Sequence, residues 1–183
     1  MKTSSENISP FIRLVGIWLM LIGLVILIST VIGGDFLINP FIFMIGYSIS
    51  IYLVEFNSFF RKNFILKGEL SKFQKKMSKY GDLSLFPLIF VLGGAFIPSG
   101  DWRLIWLNVF IATGIHFLFF IPVNGKIMFY LSLLCTLNPL IGIISDDIPF
   151  IIIGLLDFII KFSFGIYIFM KHKPKNRKEL SFE

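Results

Sequence analysis

Two opposite charges lie in the middle of an apolar stretch near the end of the chain. Asp157 and Lys161 both occur in LLDFIIKFSF, residues 155–164. Residues four apart share one face of an α-helix, and an acid that precedes a base by four positions has the favourable order for an ion pair. Ionisable residues inside a membrane commonly mark a proton or solute pathway. A buried pair can also serve only to specify how helices pack, so both interpretations stay open.

Other polar residues have the spacing to join this pair. Counting about 1.5 Å of helix per residue places Asn138 at the depth of Asp157 and His116 near that of Lys161. Ser132 or Ser163 near His116 would be the candidate set for lipid chemistry. The chain has no HExxH or CxxC spacing, and the sequence predicts neither a metal site nor a cofactor. The predicted intramembrane polar cluster consists of Asp157, Lys161, His116, Asn138 and Asn108.

Long apolar segments must position these residues. The chain has 183 residues, of which 56% are hydrophobic and 15% are charged, against about 25% charged in typical soluble domains. A transmembrane helix needs about 20 mostly apolar residues. We therefore predict an all-α membrane protein with six transmembrane helices in one domain, residues 1–183. The predicted spans are 12–33, 36–56, 84–98, 102–121, 127–144 and 149–170.

The distribution of Lys and Arg predicts the orientation of these spans. Segments on the side of the N-terminus hold 15 of the 17 basic residues, most of them in the basic loop 57–83 and the basic tail 171–183. The opposite side holds only Arg103. Because cytoplasmic loops are enriched in Lys and Arg, both termini are predicted to be cytoplasmic. The net charge of +6 therefore reflects topology, and nucleic acid is not an expected partner.

The basic loop predicts an amphipathic cytoplasmic surface helix between spans two and three. Leu66, Leu70, Phe73, Met77 and Tyr80 recur at helical spacing. A basic amphipathic helix of this kind lies in the headgroup layer, so the lipid bilayer and anionic lipid of the inner leaflet are expected partners. A membrane protein partner is the alternative. The lysines expected to contact anionic lipid are Lys67, Lys72, Lys75, Lys76 and Lys79.

Asp and Asn residues just before the predicted spans are interpreted as helix N-caps. Their side-chain oxygens accept hydrogen bonds from the free N–H groups of a first helical turn. Asn39, followed by Pro40, is a second candidate cap for span two. The other predicted caps are Asp35, Asp82, Asp101, Asn124 and Asp146 or Asp147.

Several short motifs resemble those of a known but uncharacterised family. They are NPFIFMIGYSI (39–49), DWRLIW (101–106), GIHFLFF (114–120), NGK (124–126), LCTLNPLIG (134–142) and DFIIKFSFG (157–165). The chain resembles a domain-of-unknown-function family of small six-pass membrane proteins of Gram-positive bacteria. The resemblance implies a bacterial plasma membrane, and it supplies no activity, substrate or catalytic residue.

Three classes of function are consistent with the sequence. A non-enzymatic membrane subunit, sensor or structural protein is favoured by the short outer loops and the smooth apolar faces. A small solute- or proton-handling permease would use Asp157, Lys161 and His116. A membrane-embedded lipid-modifying enzyme would need a nucleophile beside His116. Access of water to the polar cluster would discriminate the first class from the other two.

Overall fold

Helices form almost all of the computed structural model, which describes residues 8–172 and contains no strand in that range. Short 3-10 turns at Gly34–Phe36, Gly94–Ser99 and Phe117–Phe120 connect or extend the helices. The α-helices are α1 Ile12–Val31, α2 Pro40–Ile51, α3 Ser58–Phe64, α4 Lys72–Leu92, α5 Trp102–His116, α6 Ile121–Asn124, α7 Ile127–Ile144 and α8 Phe150–Lys171.

Five of the helical segments in this range are long and apolar enough to cross a membrane. The second predicted span differs from the others. Its helix continues from α2 through a π-helical turn at Tyr52–Phe56 and then bends by 57° into α3. If Pro40–Phe56 and Ser58–Phe64 are counted as one broken span, the total is six. The all-helical class is therefore confirmed, and the number of spans stays a prediction.

The exterior of the bundle is apolar and its interior contains charge. Phe41, Phe90 and Ile144 are 75%, 78% and 82% exposed, whereas Asp157 and Lys161 are 0% and 1% exposed. In a soluble protein, large apolar side chains are mostly inside and charged residues are mostly on the surface. This arrangement suits a bundle whose outer surface contacts hydrocarbon.

Helices α1 and α8 form the most extensive contact in the bundle. Two glycines allow their backbones to approach closely. A methyl group at Gly165 would lie 2.7 Å from the carbonyl oxygen of Gly16, and one at Gly154 would lie 2.7 Å from Thr30. Small residues at facing positions are a common means of packing membrane helices. Gly154 and Gly165 lie on the same buried face of α8 as Asp157 and Lys161, so this face packs on α1.

The predicted surface helix is not a separate element. Residues 65–71 lie outside any helix, so Leu66, Leu70 and Lys67 are not on it. A capping box formed by Ser71 and Gln74 starts α4 at Lys72, and this helix continues without interruption to Leu92. The amphipathic lysine-bearing turns are therefore the first part of the helix predicted as span three. The prediction was wrong because it took Gly81-Asp82 as a break, whereas a helix tolerates an interior glycine at a cost of about 1 kcal/mol.

Candidate functional site

The two charges of α8 form a buried ion pair, as their spacing predicts. Lys161 Nζ donates to Asp157 Oδ2. The Lys161 ammonium also lies 5.5 Å from the centroid of the Phe110 ring on α5, which adds a cation–π attraction. The second carboxylate oxygen, Oδ1 of Asp157, is buried and has no hydrogen-bond partner in the described part of the chain.

The other predicted members of the polar cluster have different surroundings. Asn138 donates from Nδ2 to the carbonyl oxygen of Ile153 at 2.9 Å, which joins α7 to α8 one turn from Asp157. Asn108 donates to the carbonyl oxygen of Leu104 in its own helix at 2.9 Å. Asn138 therefore joins α7 to α8 one turn from the ion pair. The side chain of Asn108 instead forms a hydrogen bond within α5.

His116 and Lys161 are neighbours across a very small cavity. This cavity of about 20 Å³ is also lined by Trp18, Phe110 and Thr113, and its walls are almost entirely apolar. The volume is enough for one water molecule, but a buried water needs two to four polar partners, and apolar cavities stay dry. The space next to Lys161 is therefore a small gap in the packing with mainly apolar walls.

The imidazole of His116 is held by a serine that the sequence did not single out. Its Nδ1 lies 3.2 Å from Ser84 Oγ, and Ser84 Oγ donates to the carbonyl oxygen of Gly81 at 2.8 Å. Because the serine proton is used in that bond, the Nδ1–H of His116 is the donor to Ser84. Nε2 of the neutral ring is then an acceptor. This arrangement does not activate the serine as a nucleophile, because activation needs the opposite proton direction.

Neither Ser132 nor Ser163, the serines predicted to lie near His116, forms a hydrogen bond with it among the described residues. Ser132 is buried and donates to the carbonyl oxygen of Gly114 at 2.6 Å. Ser163 lies on the exposed side of α8. His116 instead contacts Ser84. This contact is possible because α4 continues through residues 81–84 and lies beside α5.

A much larger cavity lies at the end of the bundle where the basic segments are found. Its volume is about 670 Å³, and it is half open to the surroundings. Residues from α1, α2, α4 and the α5–α7 connection line it, and most of them are apolar or aromatic. Such a size and lining are typical of small-molecule sites, which add a few placed polar groups to apolar walls. The polar residues in these walls include Glu55, Arg61, Asp82, His116 and Asn124.

Three charged side chains lie at the cavity. Arg61 Nη1 lies 3.8 Å from Glu55 Oε2 and donates to the backbone carbonyl of Glu55 at 2.8 Å. Asp82 is within electrostatic range of Glu55 and forms no ion pair among residues 8–172. With one arginine against two carboxylates, the charged groups that line this cavity sum to −1.

Asn124 lies in the wall of the same cavity. The residue is 3% exposed, and its Oδ1 has no hydrogen-bond partner within the described range. Because almost none of the surface of this oxygen is accessible, a molecule in the cavity does not contact it directly. Ser9, also at the cavity, holds the adjacent backbone through an N–H bond to the carbonyl oxygen of Val123 at 3.0 Å.

The cap assignments explain why sequence reasoning missed this cavity. Asp101 is indeed an N-cap and accepts from the N–H of Leu104 at 3.0 Å. Asp82, by contrast, lies inside α4, and Asn124 is the last residue of α6, while α7 is preceded by Lys126. Two residues interpreted as caps are therefore cavity residues. Asp35, Asp146 and Asp147 cap no α-helix either, because α2 and α8 are preceded by Asn39 and Pro149.

Helices α2 and α4 both line the cavity and make few contacts with each other. Phe56, at the end of the π-helical turn, and Phe86, on α4, line the cavity and are 71% and 68% exposed. These two rings therefore form part of the open edge of the cavity, together with the exposed side chains of Asp82 and Glu55.

Fold and site together define an all-helical protein with helices suited to crossing a membrane, a buried ion pair and a large half-open cavity. The chain belongs to a family of unknown function, DUF6609, whose model matches residues 6–178. The predicted membership in an uncharacterised family is thus confirmed. No curated protein and no solved structure gives a significant match to the chain.

Proposed function

We propose that this protein is a non-enzymatic, multi-pass integral membrane protein that binds a small amphipathic molecule in the large cavity. The apolar exterior supports the membrane location, since exposed side chains such as Phe90 and Ile144 would otherwise face water. The proposal retains six spans, a bacterial plasma membrane and cytoplasmic termini. The 15 to 1 bias of Lys and Arg supports that orientation.

In this orientation the cavity lies at the cytoplasmic end of the bundle. It is lined by the first turns of α1, the end of α2 and the first half of α4. The lysine-bearing turns of α4 then extend from the inner leaflet into the cytoplasm, where Lys72, Lys75, Lys76 and Lys79 are exposed. Each Lys near an anionic surface contributes about 1 kcal/mol of membrane attraction. Anionic lipid of the inner leaflet therefore stays the proposed partner of these residues.

The single observation that carries the binding proposal is the 670 Å³ cavity itself. A half-open recess of this size with mainly apolar walls is large enough for a small molecule. The exposed rings of Phe56 and Phe86 lie in its wall. A molecule with an apolar body that partitions into the bilayer has direct access to such a site.

The Asp157–Lys161 pair has a structural role in this proposal. The pair is fully buried, and the small cavity beside Lys161 is apolar. A permease that used Asp157, Lys161 and His116 would need water or solute at these groups. The complete burial of the pair and the mainly apolar walls beside it favour the interpretation in which the pair specifies how α8 packs against α1, α5 and α7. His116 lines both the small cavity beside Lys161 and the large cavity.

Occupation of the cavity can be detected through Trp18, which lines its wall. Bromine quenches tryptophan fluorescence on contact, so we expect the neutral probe 8-bromooctanol to quench the protein in nanodiscs with saturation. The Trp18→Phe variant reports the quenching of Trp102 and Trp106 alone and is the matched control. A Val54→Phe change, which fills part of the cavity and adds no tryptophan, should abolish saturable quenching of Trp18. Quenching that rises linearly and equally in all variants would show partitioning into lipid only and would contradict the proposal.

A further inference from the structure

We infer that the ligand of the large cavity carries a protonated amine on an apolar body. The inference rests on the proposed function, because it specifies the chemistry of the molecule that the cavity binds. The accessible polar groups, the charge balance and the aromatic walls of the cavity point to a cationic donor and not to an anion.

The first feature is the kind of polar group that a ligand can reach. The cavity wall carries two carboxylates, Glu55 and Asp82, and both side chains are accessible. A protonated primary amine has three N–H donors and no acceptor, so it can donate to a carboxylate. A carboxylate or phosphate would instead place a second acceptor against the first.

The second feature is the charge balance. Arg61 is engaged by Glu55 through both its side-chain carboxylate and its backbone carbonyl. Asp82 has no ion-pair partner in the described range, and it lies on the cavity within electrostatic range of Glu55 and Tyr47. The cavity therefore presents an uncompensated carboxylate, and a cationic ligand would neutralise it.

The third feature is the aromatic content of the walls. Trp18, Phe117 and Phe120 line the cavity close in sequence or space to His116. Aromatic faces attract ammonium groups, and Trp is the best of them. His116 adds an acceptor at Nε2, given that its Nδ1 proton is donated to Ser84. An amine in the cavity would thus meet π-faces and acceptors together.

The exposed lysines of α4 are the feature that an anionic ligand would use. Lys79 lies one turn before Asp82 on the same helix, and Lys75 lies one turn before Lys79. Both are on the exterior and neither lines the cavity. An anionic ligand would therefore be held by lysines outside the cavity, whereas a cationic ligand would be held by Asp82 at the edge of the cavity. The experiment needs an acid, an alcohol and an amine of the same shape to decide between these positions.

We would measure quenching of Trp18 by 8-bromooctylamine, 8-bromooctanol and 8-bromooctanoate in nanodiscs of zwitterionic lipid. We expect the amine to bind about tenfold more tightly than the alcohol, which is the effect of one charge-assisted contact at a partly exposed site. Asp82→Asn should remove most of this preference. The matched control is Asp147→Asn, which makes the same change of charge at an exposed site far from the cavity.

A second variant keeps the test decisive if Asp82→Asn folds poorly. Arg61→Gln releases the Glu55 carboxylate from its ion pair and should increase the preference for the amine. Equal binding of amine and alcohol would overturn the inference and leave the proposed binding function intact. Tightest binding of the octanoate would also overturn it, in favour of the lysines outside the cavity. Absence of saturable quenching by all three probes would instead overturn the proposed function.

Discussion

At the scale of single residues, the Asp157–Lys161 pair can be tested by removing one charge or both. Asp157→Leu leaves the Lys161 ammonium buried without its partner, and breaking a buried pair in this way costs about 3–5 kcal/mol. Asp157→Leu together with Lys161→Met replaces the pair by apolar side chains, which is often neutral or stabilising. We expect thermal unfolding in detergent to show a large loss of stability for the single variant and a near-normal melting temperature for the double variant.

The same comparison distinguishes a dry pair from a hydrated one. If water reached Lys161, the ammonium would stay solvated in the single variant, and the two proteins would melt at similar temperatures. Such a result would contradict the structural role assigned to the pair. Asn138→Leu is a useful third variant, because it removes the amide that joins α7 to Ile153 of α8 without changing any charge.

At the scale of elements, the contact between α1 and α8 depends on the absence of side chains at two facing positions. A Cβ atom at Gly165 would lie 2.7 Å from the carbonyl oxygen of Gly16, a backbone atom that cannot rotate away. Gly165→Ala should therefore separate the helices and cost about 1–3 kcal/mol, the usual penalty of overpacking. Its matched control is Gly94→Ala, where the nearest atom would be 3.7 Å away. A melting temperature lowered equally by both changes would contradict the close contact.

The helices and their order were largely predictable from the sequence, whereas the cavity was not. Long apolar segments, the i, i+4 ion pair and the Asp101 cap are local patterns, and local patterns survive in the structure. The role of Asp82 depends on whether α4 continues past Gly81, which is decided by packing against the α5–α7 connection. Asn124 becomes a cavity residue only because α1, α2 and α4 come together around the same space, and no local pattern contains that information.

At the scale of the whole molecule, the orientation and the dryness of the bundle can be tested with one charged, membrane-impermeant thiol reagent. The single native thiol, Cys135, is 0% exposed and lies in the packed core with Leu131 and Met128. We expect it to stay unlabelled in intact cells and in inside-out vesicles. In a Cys135→Ser background, Ser78→Cys places a thiol on the large cavity, and Asp147→Cys places one before α8 at the opposite end.

The proposed topology predicts opposite accessibility for these two introduced thiols. Asp147→Cys should react in intact cells, because the loop between α7 and α8 is extracellular when both termini are cytoplasmic. Ser78→Cys should react only in inside-out vesicles, from which the cavity is reached. The opposite result is labelling of Ser78→Cys in intact cells and of Asp147→Cys only in inside-out vesicles. It would show that the protein is inserted the other way round and that the cavity faces outward. Labelling of native Cys135 from either side would show that water enters the bundle, and the permease interpretation of Asp157 and Lys161 would then replace the structural one.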